Sequence, residues 1–382
     1  MLKTAMLKKL IPIMFAFFAM GAVDFVGIAT NYVKADFALS DTLANLFTSM
    51  TFFWFLIFSV PTGLLMNKIG RRKTVLLSLA ISMLALVLPM FEYNMVVIMI
   101  AFSLLGISNT IMQVSLNPLV SNIVSKDKMS SALTFGQFVK ATASFVAPIL
   151  AGWGAIHFGK WQILFPFFLI ETAVAYVLLA REKIEETEVG QASGFKECFK
   201  LLGNGTIFLC FMAVMCHVGL DVGTNVTTPK LLMQKLGWTL EQAGYATSVY
   251  FFFRTIGSFS GAYILAKYSN HKYFLGSVLL MMLALCGVFV FNSKELLYIC
   301  IACIGYGNAN IFPVVFSQAM KTMPQHGNEV SGLMIMGIFG GTVFPLLMGI
   351  ASDFANNQHG AVVVMLLCAV YLLFMSRKVK EI

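Results

Sequence analysis

The sequence predicts an all-α membrane protein whose twelve transmembrane helices form two pseudo-symmetric six-helix bundles. Three observations predict it. The 382-residue chain is 59% hydrophobic and 11% charged, with mean hydropathy +0.84, too little charge for the surface of a soluble domain. Its apolar residues come in runs such as Leu10 to Val33, longer than the roughly 18–20 residues a helix needs to cross a bilayer. Two segments half a chain apart carry an acid at matching places, Asp24 in Gly-Ala-Val-Asp and Asp221 in Val-Gly-Leu-Asp. A carboxylate in a bilayer is costly unless something uses or neutralises it. One in each half points to a duplicated protein with a polar site between its halves, the layout of a secondary transporter.

Spans are expected at 10–33, 43–66, 74–91, 95–124, 130–157, 162–180, 206–233, 241–267, 273–292, 295–320, 329–352 and 360–376. The first follows Lys3, Lys8 and Lys9 as a signal peptide would. Its run is too long for a signal h-region and no convincing cleavage site follows, so it reads as a retained span. Lys34 separates spans one and two, and Lys68 to Lys73 separate two and three. Lys126 and Lys128 end span four, and Lys160 stands between five and six. The clearest break is 181–205, with Glu182, Glu185, Glu186 and Glu188 among Arg181, Lys183, Lys196 and Lys200. It divides the spans into an N-terminal bundle, 1–180, and a C-terminal bundle, 206–382, joined by a cytoplasmic linker. In the second half, Lys235, Lys267 with Lys272, Lys294 and Lys321 mark the successive connections.

The basic residues also orient the chain. With both termini cytoplasmic, nineteen Lys and Arg, from Lys3 through Arg71 and Arg72 to Lys380, fall inside. Only Lys34, Lys160, Lys230, Lys235 and Lys294 fall outside. The net charge of +9 is therefore read by the positive-inside rule and not as nucleic-acid affinity. The seven cysteines lie almost entirely in apolar segments, and Cys300-x-x-Cys303 reads as packing. There is no phosphate-cradling glycine loop and no catalytic constellation, so neither an ATP-driven pump nor an enzyme is expected. No cofactor or metal is expected either. The sequons at Asn204 and Asn225 lie at or inside spans.

The halves echo each other. Gly63 followed by Asn67 to Lys73 recurs as Gly261 followed by Lys267 to Lys272. Pro148 before Ala151-Gly152 in span five is matched by Pro345 before Gly349 in span eleven. Gly63-x-x-x-Asn67-Lys68-x-Gly70-Arg71-Arg72-Lys73 resembles the loop signature G-x-x-x-D-R-x-G-R-R-K of the major facilitator superfamily. It sits where that family carries it, with Asn67 in place of the motif's Asp. Further segments resemble the fucose permease group of sugar symporters: Asn117-Pro118-Leu119-Val120, Phe312-Pro313-Val314-Val315-Phe316-Ser317, and Gly340-Gly341-Thr342-Val343-Phe344-Pro345 through Ser352-Asp353. The resemblance implies the major facilitator fold and proton- or sodium-coupled sugar uptake. The group's proton-linked carboxylate four residues before the Asn-Pro is Gln113 here, and its acid in span one falls at Gly27, one turn after Asp24. Asp24 can substitute from the neighbouring turn.

The intramembrane polar residues are the candidate site. Asp24 and Asp221 are the ion-coupling candidates, each with the alternative of a fixed ion pair. Asn31 follows the first; Asn225 and Thr228 follow the second. Lys140 shares a face with Gln137 and Ser144 in span five. It either binds an anionic group on the substrate or neutralises Asp24. Arg254, with Tyr250 and Ser258 on its face, either contacts an anion or pairs with Asp221. Asn109, Gln113 and Asn117 recur every fourth residue in span four. They can hydrogen-bond sugar hydroxyls, or join helices to one another. Asn308 and Asn310, two residues apart, face different sides. Glu171 in span six is expected to have a local structural partner, and His217 to be a buried neutral histidine. Tyr250, Trp54 and Phe135 can stack on a sugar ring.

The expectation is a monomeric bacterial inner-membrane symporter that works by alternating access on a small sugar or sugar-like substrate, with H+ or Na+ as coupling ion. Lys140 and Arg254 motivate an alternative substrate, an acidic sugar or other organic anion. Ala143-x-x-x-Ala147-Pro148-x-x-Ala151-Gly152 weakly resembles an antiporter motif rich in glycine and motivates a further alternative, drug/proton exchange.

Overall fold

The computed structural model describes residues 2–39, 41–186, 194–238 and 240–377. Among them, twelve helical stretches are long and apolar enough to cross a membrane. They are span one, Lys9–Thr30; two, Met50–Ile69; three, Arg71–Phe91; four, Met95–Val120; five, Met129–Phe158; six, Trp161–Arg181; seven, Gly205–Leu236; eight, Ala246–Lys267; nine, Asn270–Val290; ten, Lys294–Thr322; eleven, Pro324–Ala355; and twelve, His359–Ser376. Helices dominate because a backbone in lipid must satisfy its own polar groups. Where helices start near the membrane boundary, side chains cap them. Asn94 accepts from the Val97 amide at 2.9 Å, and Asn204 from Thr206 and Ile207 at 3.0 and 3.2 Å. Ser269 and Ser293 do the same for spans nine and ten. Such caps each contribute about 1 kcal/mol, and Asn204 of the first sequon is one of them.

Two compact units form. The first comprises Met1–Met129, Gly136–Lys200 and Met323–Met336; the second comprises Ser130–Phe135, Leu201–Thr322 and Gly337–Ile382. The opening of span eleven thus packs within the first unit, and the opening of span five within the second.

The first unit is organised around Phe25. Its ring stacks on Phe168 at 5.5 Å and meets Phe165 edge-on at 5.7 Å and Phe102 edge-on at 6.3 Å. Ala22, Ala29, Ala143 and Ala147 surround this cluster and let the backbones approach. Close packing, and not escape from water, drives helix association in lipid. Gly21 shows how tight the fit is: a Cβ there would lie 2.6 Å from the Lys140 carbonyl oxygen and 2.7 Å from the Ala143 Cβ. Immediately after Gly21 the first span breaks. Helices Leu2–Gly21 and Phe25–Asp36 are joined by a 3-10 turn, Ala22–Asp24. The second unit contains a comparable break in span ten, between Lys294–Asn308 and Ile311–Thr322.

Candidate functional site

The break in span one delivers Asp24 to span five. Ser144 donates its hydroxyl to Asp24 Oδ2 at 2.5 Å. Lys140 Nζ lies 3.7 Å from the same oxygen, beyond hydrogen-bond length, with the lysine side chain 19% and the aspartate 37% exposed. Asn109 reaches across from span four and donates to the Met20 carbonyl at 2.7 Å, beside the break. Gln113 donates to Asn109 Oδ1 at 2.6 Å, and Asn117 to the Gln113 carbonyl at 2.8 Å. The polar stripe of span four therefore ties helices together at its Asn109 end. Asn117 Oδ1 is buried without a hydrogen-bond partner among the described residues. Gln137 is half-buried on the face of Lys140. The side chain of Asn31 lies outside the described residues.

The second unit carries a more enclosed cluster. Arg254 pairs with Asp221 Oδ2 at 3.1 Å, with the side chains 29% and 16% exposed. Tyr250, fully buried, donates to Asp221 Oδ1 at 2.5 Å. Asn308 donates to the Tyr250 hydroxyl at 3.0 Å, and His217 Nδ1 meets Asn308 Oδ1 at 2.8 Å. Span seven thus contributes His217 and Asp221 one turn apart, span eight Tyr250 and Arg254 one turn apart, and span ten Asn308. Asn310, within the break of span ten, joins a different set and donates to the Gly257 carbonyl and the Tyr273 hydroxyl at 2.8 and 2.6 Å. Asn225 spends its amide on the Asp221 carbonyl at 3.0 Å, and Thr228 is buried.

The loop motif is the third cluster. Asn67, where the motif has Asp, donates to Glu329 Oε1 at 2.5 Å and accepts from Asn328 at 2.7 Å. Arg71 donates to Asn328 Oδ1 and Asn122 Oδ1, both at 2.7 Å. Glu186 receives the Arg71 and Arg72 amides at 2.6 and 2.8 Å, which places a carboxylate on the open N-terminus of span three. Gly70 is needed there: its φ is +87°, and a Cβ would sit 2.9 Å from Glu186 Oε2. Gly63 lies where a Cβ would meet the Asn328 carbonyl at 2.7 Å. Arg72 caps span six through the Leu179 and Ala180 carbonyls. Beside this network, in the short helix Phe195–Lys200, Cys198 is fully buried and contacts the Glu329 carbonyl. Burial and the nearby Glu329 push its thiol up to about 12.

Sequence reading missed several participants. Glu329, Asn328 and Glu186 hold the loop motif, and only the Asp-to-Asn change at position 67 hinted that the acid had to come from elsewhere. Glu171, expected to have a local partner, has none: both carboxylate oxygens are buried without a hydrogen-bond partner among the described residues. Tyr250 is consumed by Asp221 and Asn308 and presents no ring face to a ligand, whereas Phe135 is partly exposed.

The model for the Major Facilitator Superfamily matches residues 13–325 and 207–381. A glucose/galactose transporter of Brucella abortus is 23% identical over 370 residues, covering 91% of this chain and 88% of its own. The L-fucose-proton symporter of Escherichia coli K12 is 22% identical over 383 residues, covering 89% and 86%. Among solved structures, a crystal structure of the Escherichia coli fucose:proton symporter superposes with TM-score 0.84 at 17% identity, covering 98% of each chain. The xylose:proton symporter follows at 0.77 and 13%, covering 100% of this chain and 97% of its own.

Proposed function

This chain belongs to the Major Facilitator Superfamily, and we propose that within it the protein is a proton-coupled importer of a sugar or sugar-like molecule. The observation that carries the reading is Asp24. It is an acid at a helix break in mid-span, held by one short hydroxyl bond and one long ion-pair contact. Such a group can exchange its partners for a proton at small structural cost, which a fully enclosed pair cannot. Asp221 is the second candidate. Its ion pair with Arg254 is shorter, 3.1 Å against 3.7 Å, and Tyr250 adds a 2.5 Å bond, which supports a fixed pair.

A proton fits Asp24 better than sodium does. Sodium needs several oxygen ligands, and here the Lys140 ammonium stands 3.7 Å from the carboxylate and would repel it. The functions of the relatives, transport of glucose and galactose and symport of fucose with a proton, support the same assignment. Gln113, Gln137 and Asn117 are the amides proposed to meet hydroxyl groups. The loop residues Gly63, Asn67, Gly70, Arg71 and Arg72 are proposed to govern the conformational exchange. We read residues 1–180 and 206–382 as the two bundles of alternating access, joined by 181–205. The excess of basic residues on one side supports both termini in the cytoplasm of a bacterial inner membrane.

Uptake into proteoliposomes under an inward proton gradient tests this. Asp24→Asn is expected to abolish accumulation while leaving counterflow exchange. Accumulation that survives the substitution removes Asp24 from the coupling role.

A further inference from the structure

We infer that the transported sugar carries a carboxylate, so that one proton on Asp24 and one sugar acid on Lys140 cross the membrane together with no net charge. This rests on the proton-coupled uptake proposed above and adds the substrate class to it.

The first unit holds a balanced pair of intramembrane charges. Asp24 and Lys140 sum to zero at rest. When a proton neutralises Asp24, the ammonium of Lys140 loses its counterion and the site becomes cationic. Glu171 is the acid within span six, which packs on span one. Its oxygens are buried and have no hydrogen-bond partner among the described residues, so it is not a counterion to Lys140 there. Asn109, Gln113 and Asn117 from span four and Ser144 from span five carry no charge. A neutral sugar would leave the lone ammonium to cross a low-dielectric core, whereas a sugar carboxylate would replace the charge that Asp24 gave up.

Geometry agrees with this balance of charge. Lys140 is held at 3.7 Å, without a hydrogen bond to Asp24, so its three N–H donors are not locked into that contact. Ser144 can turn from Asp24 to the Lys140 carbonyl, which it already approaches at 3.2 Å, so the hydroxyl keeps an acceptor when the carboxylate becomes a carboxylic acid. Gln137 lies one turn before Lys140 on the same half-buried edge of span five, where it can take a sugar hydroxyl. Phe145 and Ile149 are exposed on the same helix but apolar, which leaves this polar edge as the part of span five suited to a hydrophilic ligand. Asp221 and Arg254 sum to zero and stay paired in this scheme, so Lys140 is the cation that protonation releases.

The test uses the full chain in proteoliposomes with D-galacturonate and D-glucuronate as anionic probes, and D-galactose and L-fucose as neutral ones. Under an inward proton gradient, galacturonate or glucuronate is expected to accumulate at least tenfold above either neutral sugar. Its initial rate is expected to stay unchanged when a potassium diffusion potential is imposed, because the loaded site is neutral. Lys140→Gln is expected to lower that uptake at least tenfold. Lys140→Arg, which keeps the cation, is expected to retain more of it than Lys140→Gln, with both variants eluting as single species in detergent. Proton-driven, potential-sensitive accumulation of galactose or fucose without uronate uptake overturns the inference and leaves proton-coupled sugar uptake standing. Equal loss of both substrate classes in Lys140→Gln overturns it as well. No proton-driven accumulation of any of the four probes brings down the coupled-uptake reading together with it.

Discussion

Removing one oxygen from the second unit tests its polar cluster. In Tyr250→Phe the ring keeps its buried place, but two hydrogen bonds disappear: the 2.5 Å bond to Asp221 and the 3.0 Å bond from Asn308. A hydrogen bond to a charged group contributes about 1.5–3 kcal/mol, and leaving a buried donor such as the Asn308 amide without an acceptor costs about 1–3 kcal/mol more. Two considerations lower the sum. Arg254 remains on Asp221 at 3.1 Å, and an unfolded chain in a lipid-like environment finds substitute partners, which keeps measured side-chain hydrogen bonds in membranes near 0.6 and below about 1.7 kcal/mol each. The expected loss is therefore about 2 kcal/mol, close to a thirtyfold shift toward the unfolded form. Reversible unfolding in mixed micelles, followed by circular dichroism, measures it. A cycle with Asn308→Ala should return a coupling of about 1 kcal/mol, because the two side chains share a bond. A loss under about 0.5 kcal/mol, or additive single effects, would mean that the cluster is not the connected network described.

Other expectations follow from the first unit. Cys198, fully buried and with its thiol pushed up to about 12, should resist maleimide at pH 8, where almost none of it is thiolate. Asn67→Asp should speed that labelling at least tenfold, because it sets a second carboxylate against Glu329 and loosens the segment covering Cys198; unchanged labelling would deny that contact its holding role. Gly21→Ala should lower stability by about 1–3 kcal/mol in the same unfolding assay, since the new methyl meets the Lys140 carbonyl at 2.6 Å. Glu186→Ala should cost about 1–2 kcal/mol by stripping two amides at the start of span three, and amide hydrogen exchange at Arg71 and Arg72 should rise with it.

Much of the architecture is legible in the residue order because the bilayer imposes one rule, length of apolar run, on every span. The intramembrane charges are legible for the same reason: Asp24, Lys140, Asp221 and Arg254 stand out against lipid-compatible neighbours. Their pairing is only half legible: the sequence offers Lys140 with Asp24 and Arg254 with Asp221 as one of two readings, because spacing along one helix says which side chains share a face but not which helix they meet. Lys140 and Asp24 are 116 positions apart, and Asp221 and Arg254 are 33 apart. The stripe of Asn109, Gln113 and Asn117 reads equally as a sugar contact or as a tie between helices, and only the Met20 carbonyl bound by Asn109 shows the second use. The break at Ala22–Asp24 carries no proline to announce it. The carboxylates of Glu329 and Glu186 sit at a span's start and in a charged connection, where acids are unremarkable by pattern alone.

The order of donors in the second unit has a spectroscopic corollary. As a carboxylate, Asp221 can only accept, which fixes the proton of Tyr250 toward it. The phenol oxygen must then receive from the Asn308 amide nitrogen, and the amide oxygen turns to the imidazole. His217 is thereby obliged to carry hydrogen on Nδ1, and as the neutral ring expected of a buried histidine it keeps its lone pair on Nε2, the tautomer that is the minority form of free histidine in water. The nitrogen-15 shifts of one ring thus report the ionisation of an acid three links away, and an exchange of those two shifts would be a remote signature of Asp221 taking up a proton.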